Sequence, residues 1–290
     1  MEKRNLISTG LFETVRREMR LRGYSHKTIK SYLSCLRTLV RSLSPKHPRD
    51  ATDQDLRSFV LNLIEVEEYA MATVNQFINA LRLLYVDLYQ RPMVLGNLPR
   101  PKRERKLPVV LNEEEVRGLF EKTTNLKHRA LLMLVYSSGL RVGEVVRLRW
   151  EDIDEERRMI HIRGGKGKKD RYTILSEVVA EVLNRYRAIY QPKQWLFEGQ
   201  PSEKYLSIRS AEYTFEQAAE RAGIKKDVSI HSLRHAFATH MLEQGTDLRY
   251  IQHLLGHESI KTTEVYSHVS QRKVAKLRSP IDDLWKPGTK

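Results

Sequence analysis

Between Pro92 and Pro108 the chain cannot hold regular structure. Pro92, Pro99, Pro101 and Pro108 each lack a backbone N–H and fix φ, and Gly96 adds freedom. The same stretch carries Arg100, Lys102, Arg103, Arg105 and Lys106 against one acid, Glu104, which keeps it hydrated and extended. A chain of 290 residues broken in this way folds as two units, each long enough to bury a core. The expected division is a helical unit over 1–95, a basic linker over 96–109 and a second unit over 110–290, with a tail over 270–290.

Periodicity assigns the units to different classes. From Ser25 the apolar residues Ile29, Tyr32, Leu33, Leu36, Leu39 and Val40 form one helical stripe, with Lys27, Lys30, Ser34, Arg37 and Arg41 opposite. Thr52 with Asp55 makes a capping box for a helix burying Phe59, Val60, Leu63 and Ile64. Val74, Phe77, Ile78, Leu81, Tyr85 and Leu88 mark another buried face. With the segment around Leu11 to Leu21, the first unit is all helical. Asn112 with Glu115 opens the second unit with a further capping box, and the apolar run Ala130 to Tyr136 reads as a central buried helix ending near Gly139. Ile160 and Ile162 then alternate with His161 and Arg163, a glycine-lysine turn follows, and Tyr172 to Leu175 returns. That is a hairpin with Lys166 at its tip. Helices over Val178 to Tyr190 and Ala211 to Ala222, and one beginning near Ser229, complete a mainly α fold with a small β element.

The formal charge of +15 favours a polyanionic partner. A membrane is disfavoured, because no apolar run approaches the roughly 18 residues a span needs. Cys35 is the single cysteine, so no intrachain disulfide forms, and it reads as a packed core residue in a reducing setting. His231 and His235 lie four apart, but no Glu occupies the inner position of a metalloprotease motif, so His235 and His240 read as packing or supporting groups. Gly164 to Lys169 lacks the pattern of a nucleotide loop.

The C-terminal half carries Ser138-Gly139-Leu140-Arg141-Val142-Gly143-Glu144, then Gly164-Gly165-Lys166-Gly167. Next come His231-Ser232-Leu233-Arg234-His235, Leu255-Gly256-His257 and Thr262-Thr263-Glu264-Val265-Tyr266, with steps of three, twenty-three and nine from His231 through Arg234 and His257 to Tyr266. The set supplies two guanidiniums, an ammonium, two imidazoles and a phenol, which suits attack on a phosphodiester. In this order the motifs resemble the tyrosine recombinase (integrase) family, of the simple two-domain, Xer-like class. Ile230 stands where many relatives carry proline, a departure that concerns the start of the helix more than its chemistry.

The resemblance implies a helical core-binding domain and an α+β catalytic domain closing around double-stranded DNA. Arg141 and Arg234 would clamp the phosphate, Tyr266 would form a 3′-phosphotyrosyl link, and no metal, ATP or other cofactor would be needed. His231 would assist as base and later acid, Lys166 would protonate the 5′ leaving oxygen, and His257 would hydrogen-bond the phosphate. Glu144 would orient an arginine, and His235 would support the site. Lys27, Lys30, Arg37, Asn75 and Arg82 are the expected DNA contacts of the first unit. The family further implies a homotetramer on DNA passing through a Holliday junction, exchange of the C-terminal tail between subunits, a related recombinase or accessory partner, and a nucleoid-associated, cytoplasmic setting in a bacterium or archaeon. The rival readings are a type IB topoisomerase, disfavoured by the helical domain and apolar tail, and a non-catalytic DNA-binding regulator, disfavoured by the intact six-residue set.

Overall fold

The computed structural model describes residues 2–91, 108–164, 170–257, 259 and 262–266, with side chains in the first helix from Gly10 onward. The chain divides into two compact units, Met1–Arg105 and Lys106–Lys290. The linker expected over 96–109 (but for its last two residues) and the tail over 270–290 lie outside the described residues.

The first unit is built from α1 (Glu2–Leu21), α2 (His26–Leu43), α3 (Asp53–Glu65) and α4 (Met71–Arg82). Ser25 starts α2 by accepting the Thr28 N–H at 3.1 Å, satisfying a donor that the first turn leaves free. The helix buries Ile29, Leu33, Cys35, Leu36 and Leu39, and each large apolar side chain removed from water contributes roughly 1.5–3 kcal/mol. The Thr52–Asp55 capping box forms as the spacing requires. Beyond α4 the chain widens into a π turn over Leu83–Leu88, which departs from a simple continuation of the 3.6-residue stripe. That extra residue per turn buries Leu83, Leu84 and Tyr85 together and lets the Tyr85 hydroxyl donate to the Pro48 carbonyl at 2.7 Å.

In the second unit α5 (Glu113–Lys122) begins with the Asn112–Glu115 capping box and leads into α6 (Leu126–Ser138), apolar nearly all round. One turn of helix, α7 (Val142–Val145), precedes β1 (Ile153–Asp154), β2 (Met159–Ile162) and β3 (Arg171–Ile174). The strands form an antiparallel sheet in the order β1-β2-β3, with Ile160 opposite Thr173 and His161 opposite Tyr172. β1 has two residues, too few to show alternation, which is why only the hairpin is legible in the sequence. Then come α8 (Glu177–Tyr190), α9 (Ile208–Arg221), α10 (Ile230–Glu243) and α11 (Leu248–Leu255). α6 is the core helix, packed against α8, α9 and α10. Ile230 is buried and begins α10 directly after Ser229. No helix among the described residues is long and apolar enough to cross a membrane.

Candidate active site

Two helix ends build this site. α6 stops at Gly139 (φ 61°) and α11 at Gly256 (φ 64°), both left-handed, and such endings turn the last unpaired carbonyls away from the helix axis. Arg234, on α10 and 4% exposed, donates to the Gly139 carbonyl at 2.6 Å and to the Leu255 carbonyl at 2.7 Å. Arg171 donates through Nε to the Leu254 carbonyl at 3.0 Å, and Arg141 reaches the Gly256 carbonyl at 3.4 Å. Three successive carbonyls, the last two of α11 and that of its capping Gly256, therefore meet three different guanidiniums at the helix end where positive charge is favoured.

Glu144 is the acid among them. It accepts the Arg141 backbone N–H at 2.9 Å and Arg141 Nη1 at 2.7 Å, and takes both Arg171 Nη1 and Nη2 at 2.8 Å, while Arg234 Nη1 stands 3.8 Å away. Burial pushes its carboxyl up, but the Arg171 and Arg141 contacts outweigh that and hold it down at about 2. Three guanidiniums against one carboxylate leave a surplus of positive charge suited to a phosphate. Burial and then Arg141 draw Arg234 down to about 9, which still leaves it cationic at neutral pH.

The imidazoles are fixed by what surrounds them. Arg234 Nη2 can only donate, so His257 Nε2, 3.0 Å away, accepts, and the ring proton sits on Nδ1, which donates to Thr263 Oγ1 at 3.0 Å. Desolvation and then Arg234 lower His257 to about 3, so the ring is neutral. Tyr266 lies in a 3₁₀ turn over Glu264–Tyr266 and is 2% exposed. Its hydroxyl is 3.1 Å from His235 Nδ1, and its ring stacks toward His257 with centroids 6.5 Å apart. Burial, His231 and Arg234 lower His235 to about 4. At that value the His235 ring is neutral, shares one hydrogen bond with the phenol and is too weak a base to remove its proton. Burial raises the Tyr266 phenol, and the Arg234 and Arg141 charges pull the other way.

Of the six residues the motifs single out, Arg234 bonds His257 directly, Arg141 joins them through Glu144, and Tyr266 sets its ring 6.5 Å from that of His257. His231 is exposed one turn before Arg234 on α10, yet the protein around it and the Arg234 charge lower its pKa. Lys166 lies outside the described residues. The strand ends that flank it are joined by Asp170, which accepts the Gly164 N–H at 2.8 Å and stands 3.2 Å from His161 Nε2. Glu144 and His235 both touch members of the set. His240 pairs with the Tyr136 hydroxyl at 2.9 Å. In the first unit Lys27, Lys30, Arg37 and Arg82 are exposed, with Arg37 over the Phe12 ring, and Asn75 donates to the Met71 carbonyl of its own helix. Arg171 is absent from the motifs, although strand alternation offers a signal, since it shares a face with the buried Thr173. Among the described residues no group of three or more His, Cys, Asp or Glu is placed to hold a metal ion.

Residues 109–273, which hold this whole site, match the model of the phage integrase family. The chain belongs to the phage integrase family. Residues 11–94 match the N-terminal SAM-like domain of phage integrases. This integrase-family chain is 35% identical to the tyrosine recombinase XerA of Pyrococcus furiosus over 260 residues, covering 88% of this chain and 87% of that protein. It is 34% identical to the tyrosine recombinase XerC of Oceanobacillus iheyensis over 267 residues, 86% of each. The resemblance drawn from the motifs is borne out, and the protein is an enzyme of the tyrosine recombinase type. Among solved structures, a XerA recombinase is 28% identical and covers 94% of this chain and 100% of its own, with a TM-score of 0.55. The XerH site-specific recombinase bound to its palindromic difH substrate, 22% identical over 93% of this chain and 83% of that one, has a TM-score of 0.75 and shows the shared fold.

Proposed function

We propose that the protein is a site-specific DNA recombinase that cuts and rejoins strands through a 3′-phosphotyrosyl intermediate, with Tyr266 as nucleophile. The observation that carries this is the placement of a buried phenol, held at 3.1 Å by neutral His235, beside the Arg141–Arg234–His257 group. In the reaction the Tyr266 oxygen attacks phosphorus, the phosphorus bond to the 5′ oxygen breaks, and a 5′ hydroxyl leaves. Arg141 and Arg234 neutralise the non-bridging oxygens. His231 takes the phenol proton, and Lys166 supplies one to the departing oxygen. His235 holds the phenol in place until then. A phosphate that draws Arg234 toward itself frees His257 Nε2, which in its other tautomer donates to the same phosphate. The bond energy stays in the phosphotyrosine, so a partner 5′ hydroxyl reverses the step without ATP.

On this reading the units 1–95 and 110–290 both contact double-stranded DNA, with Lys27, Lys30, Arg37, Asn75 and Arg82 binding from the first unit and the basic linker 96–109 neutralising phosphates. Synapsis follows as a tetramer with a Holliday-junction intermediate and exchange of the apolar tail. One neighbour in fold is a lambda integrase tetramer bound to a Holliday junction. The same reading covers a related recombinase or accessory partner and a cytoplasmic, nucleoid-associated setting.

The test is covalent trapping. The full chain and Tyr266→Phe are incubated with a pool of nicked duplexes of randomised sequence and resolved on a denaturing gel. A DNA-linked band lost in Tyr266→Phe supports the reading and identifies usable sequences. Binding with no linked band from any sequence refutes it in favour of a DNA-binding regulator.

A further inference from the structure

Arg171 is the one guanidinium of the cluster with a bond to the protein on each of its three nitrogens. Nη1 and Nη2 go to the two oxygens of Glu144 at 2.8 Å, Nε goes to the Leu254 carbonyl, and the side chain is 8% exposed. Arg141 differs: one nitrogen goes to Glu144, the other makes only the 3.4 Å contact with Gly256, and the side chain is 26% exposed. A carboxylate accepts about four hydrogen bonds, and the two Arg171 donors with the backbone and side-chain donors of Arg141 fill Glu144 completely. The plane of the carboxylate, and with it the direction in which Arg141 presents its free edge, is set by the Arg171 fork. The same side chain ties β3 to the end of α11, one residue before the carbonyl that holds Arg234.

We propose that Arg171 is a positioning residue of the phosphate clamp, acting through Glu144 to aim Arg141 and through the Leu254 carbonyl to fix the α11 end that carries His257. It touches no reacting atom. The inference rests on the reading of Arg141 as a phosphate ligand. It implies that lysine is a poor substitute, because an ammonium offers a point charge where a planar, two-pronged donor is required.

The test compares a native phosphate with a methylphosphonate at the scissile position of a nicked duplex that the wild type links. Replacing a charged oxygen by methyl removes the charge the clamp must neutralise. On native phosphate, Arg171→Lys should slow covalent-complex formation on the order of 10- to 100-fold, while DNA binding changes less than about twofold. On methylphosphonate its deficit relative to wild type should shrink several-fold, in parallel with that of Arg141→Ala. A deficit equal on both substrates, beside a shrinking one for Arg141→Ala, overturns the role of Arg171 and leaves the clamp intact. If the deficit of Arg141→Ala does not shrink either, the clamp reading fails and the inference falls with it. Should Arg171→Lys not fold, judged by its tryptophan fluorescence, Arg171→Gln keeps one donor to Glu144 and is read by the same comparison.

Discussion

Replacing Glu144 by glutamine removes the single anion among Arg141, Arg171 and Arg234 while keeping the shape of the side chain. The carboxyl is lowered from 4.5 to about 2 in the folded protein and its side chain is 10% exposed, so the shift converts almost undiluted into roughly 3 kcal/mol of stability at neutral pH. Because the folded value lies below the unfolded one, this stability is fully present above about pH 4.5 and is lost as pH falls through about 2. Glu144→Gln should therefore be about 3 kcal/mol less stable than wild type at pH 7, roughly 6–12 °C in Tm for a unit of this size, and the gap should fall below half by about pH 3. All three tryptophans, Trp150, Trp195 and Trp285, lie in the unit Lys106–Lys290, so urea denaturation followed by their fluorescence reports on that unit. Stabilities within about 0.5 kcal/mol at pH 7, or a gap constant from pH 7 to pH 3, would refute the account of Glu144 as the charge that holds the arginines together.

Three further outcomes follow from the same geometry. Gly256→Ala should lose about 1–2 kcal/mol from its left-handed backbone and more from crowding, since the added Cβ would lie 2.7 Å from Arg171 Cδ. Gly223→Ala, with φ of +69° and open space, isolates the backbone cost, and equal urea midpoints for the two variants would show that the crowding costs nothing. Thr263→Val strands the His257 Nδ1–H in a buried place and should cost about 1–3 kcal/mol in the same assay; a neutral result would mean the ring finds another acceptor. Truncation after Ser279 should weaken tetramer formation on DNA in a gel shift while single-site binding persists, and unchanged synapsis would rule out tail exchange.

The helices were legible because their starts are written in side chains: Thr52 with Asp55 and Asn112 with Glu115 each form the reciprocal bonds their spacing requires. The stripe through Ile29, Leu33, Leu36 and Leu39 is buried as drawn. Less visible were the π turn at Leu83–Leu88, which obeys a different period, and β1, whose two residues show none. In the site, motif order identified the groups able to act on phosphate, but not which of them are linked. Glu144 was expected to orient one arginine and contacts two, with a third nearby. Arg171 belongs to no motif, and its only signal is the alternation that puts it on the face of the buried Thr173; nothing in the sequence shows that its three nitrogens bond Glu144 and Leu254. The bond between His235 and Tyr266 spans 31 positions, and no local pattern encodes it.

The acceptors that gather the arginines at the end of α11 belong to the main chain, at Leu254, Leu255 and Gly256. Replacing side chains one at a time, as in an alanine scan, leaves every one of those oxygens in the molecule. Such a scan would credit the site to its arginines and histidines and pass over half of the bonds that assemble them. This hidden half would register only as intolerance at Gly139 and Gly256, two positions with no functional group to lose, where a methyl group would meet Phe237 or Arg171.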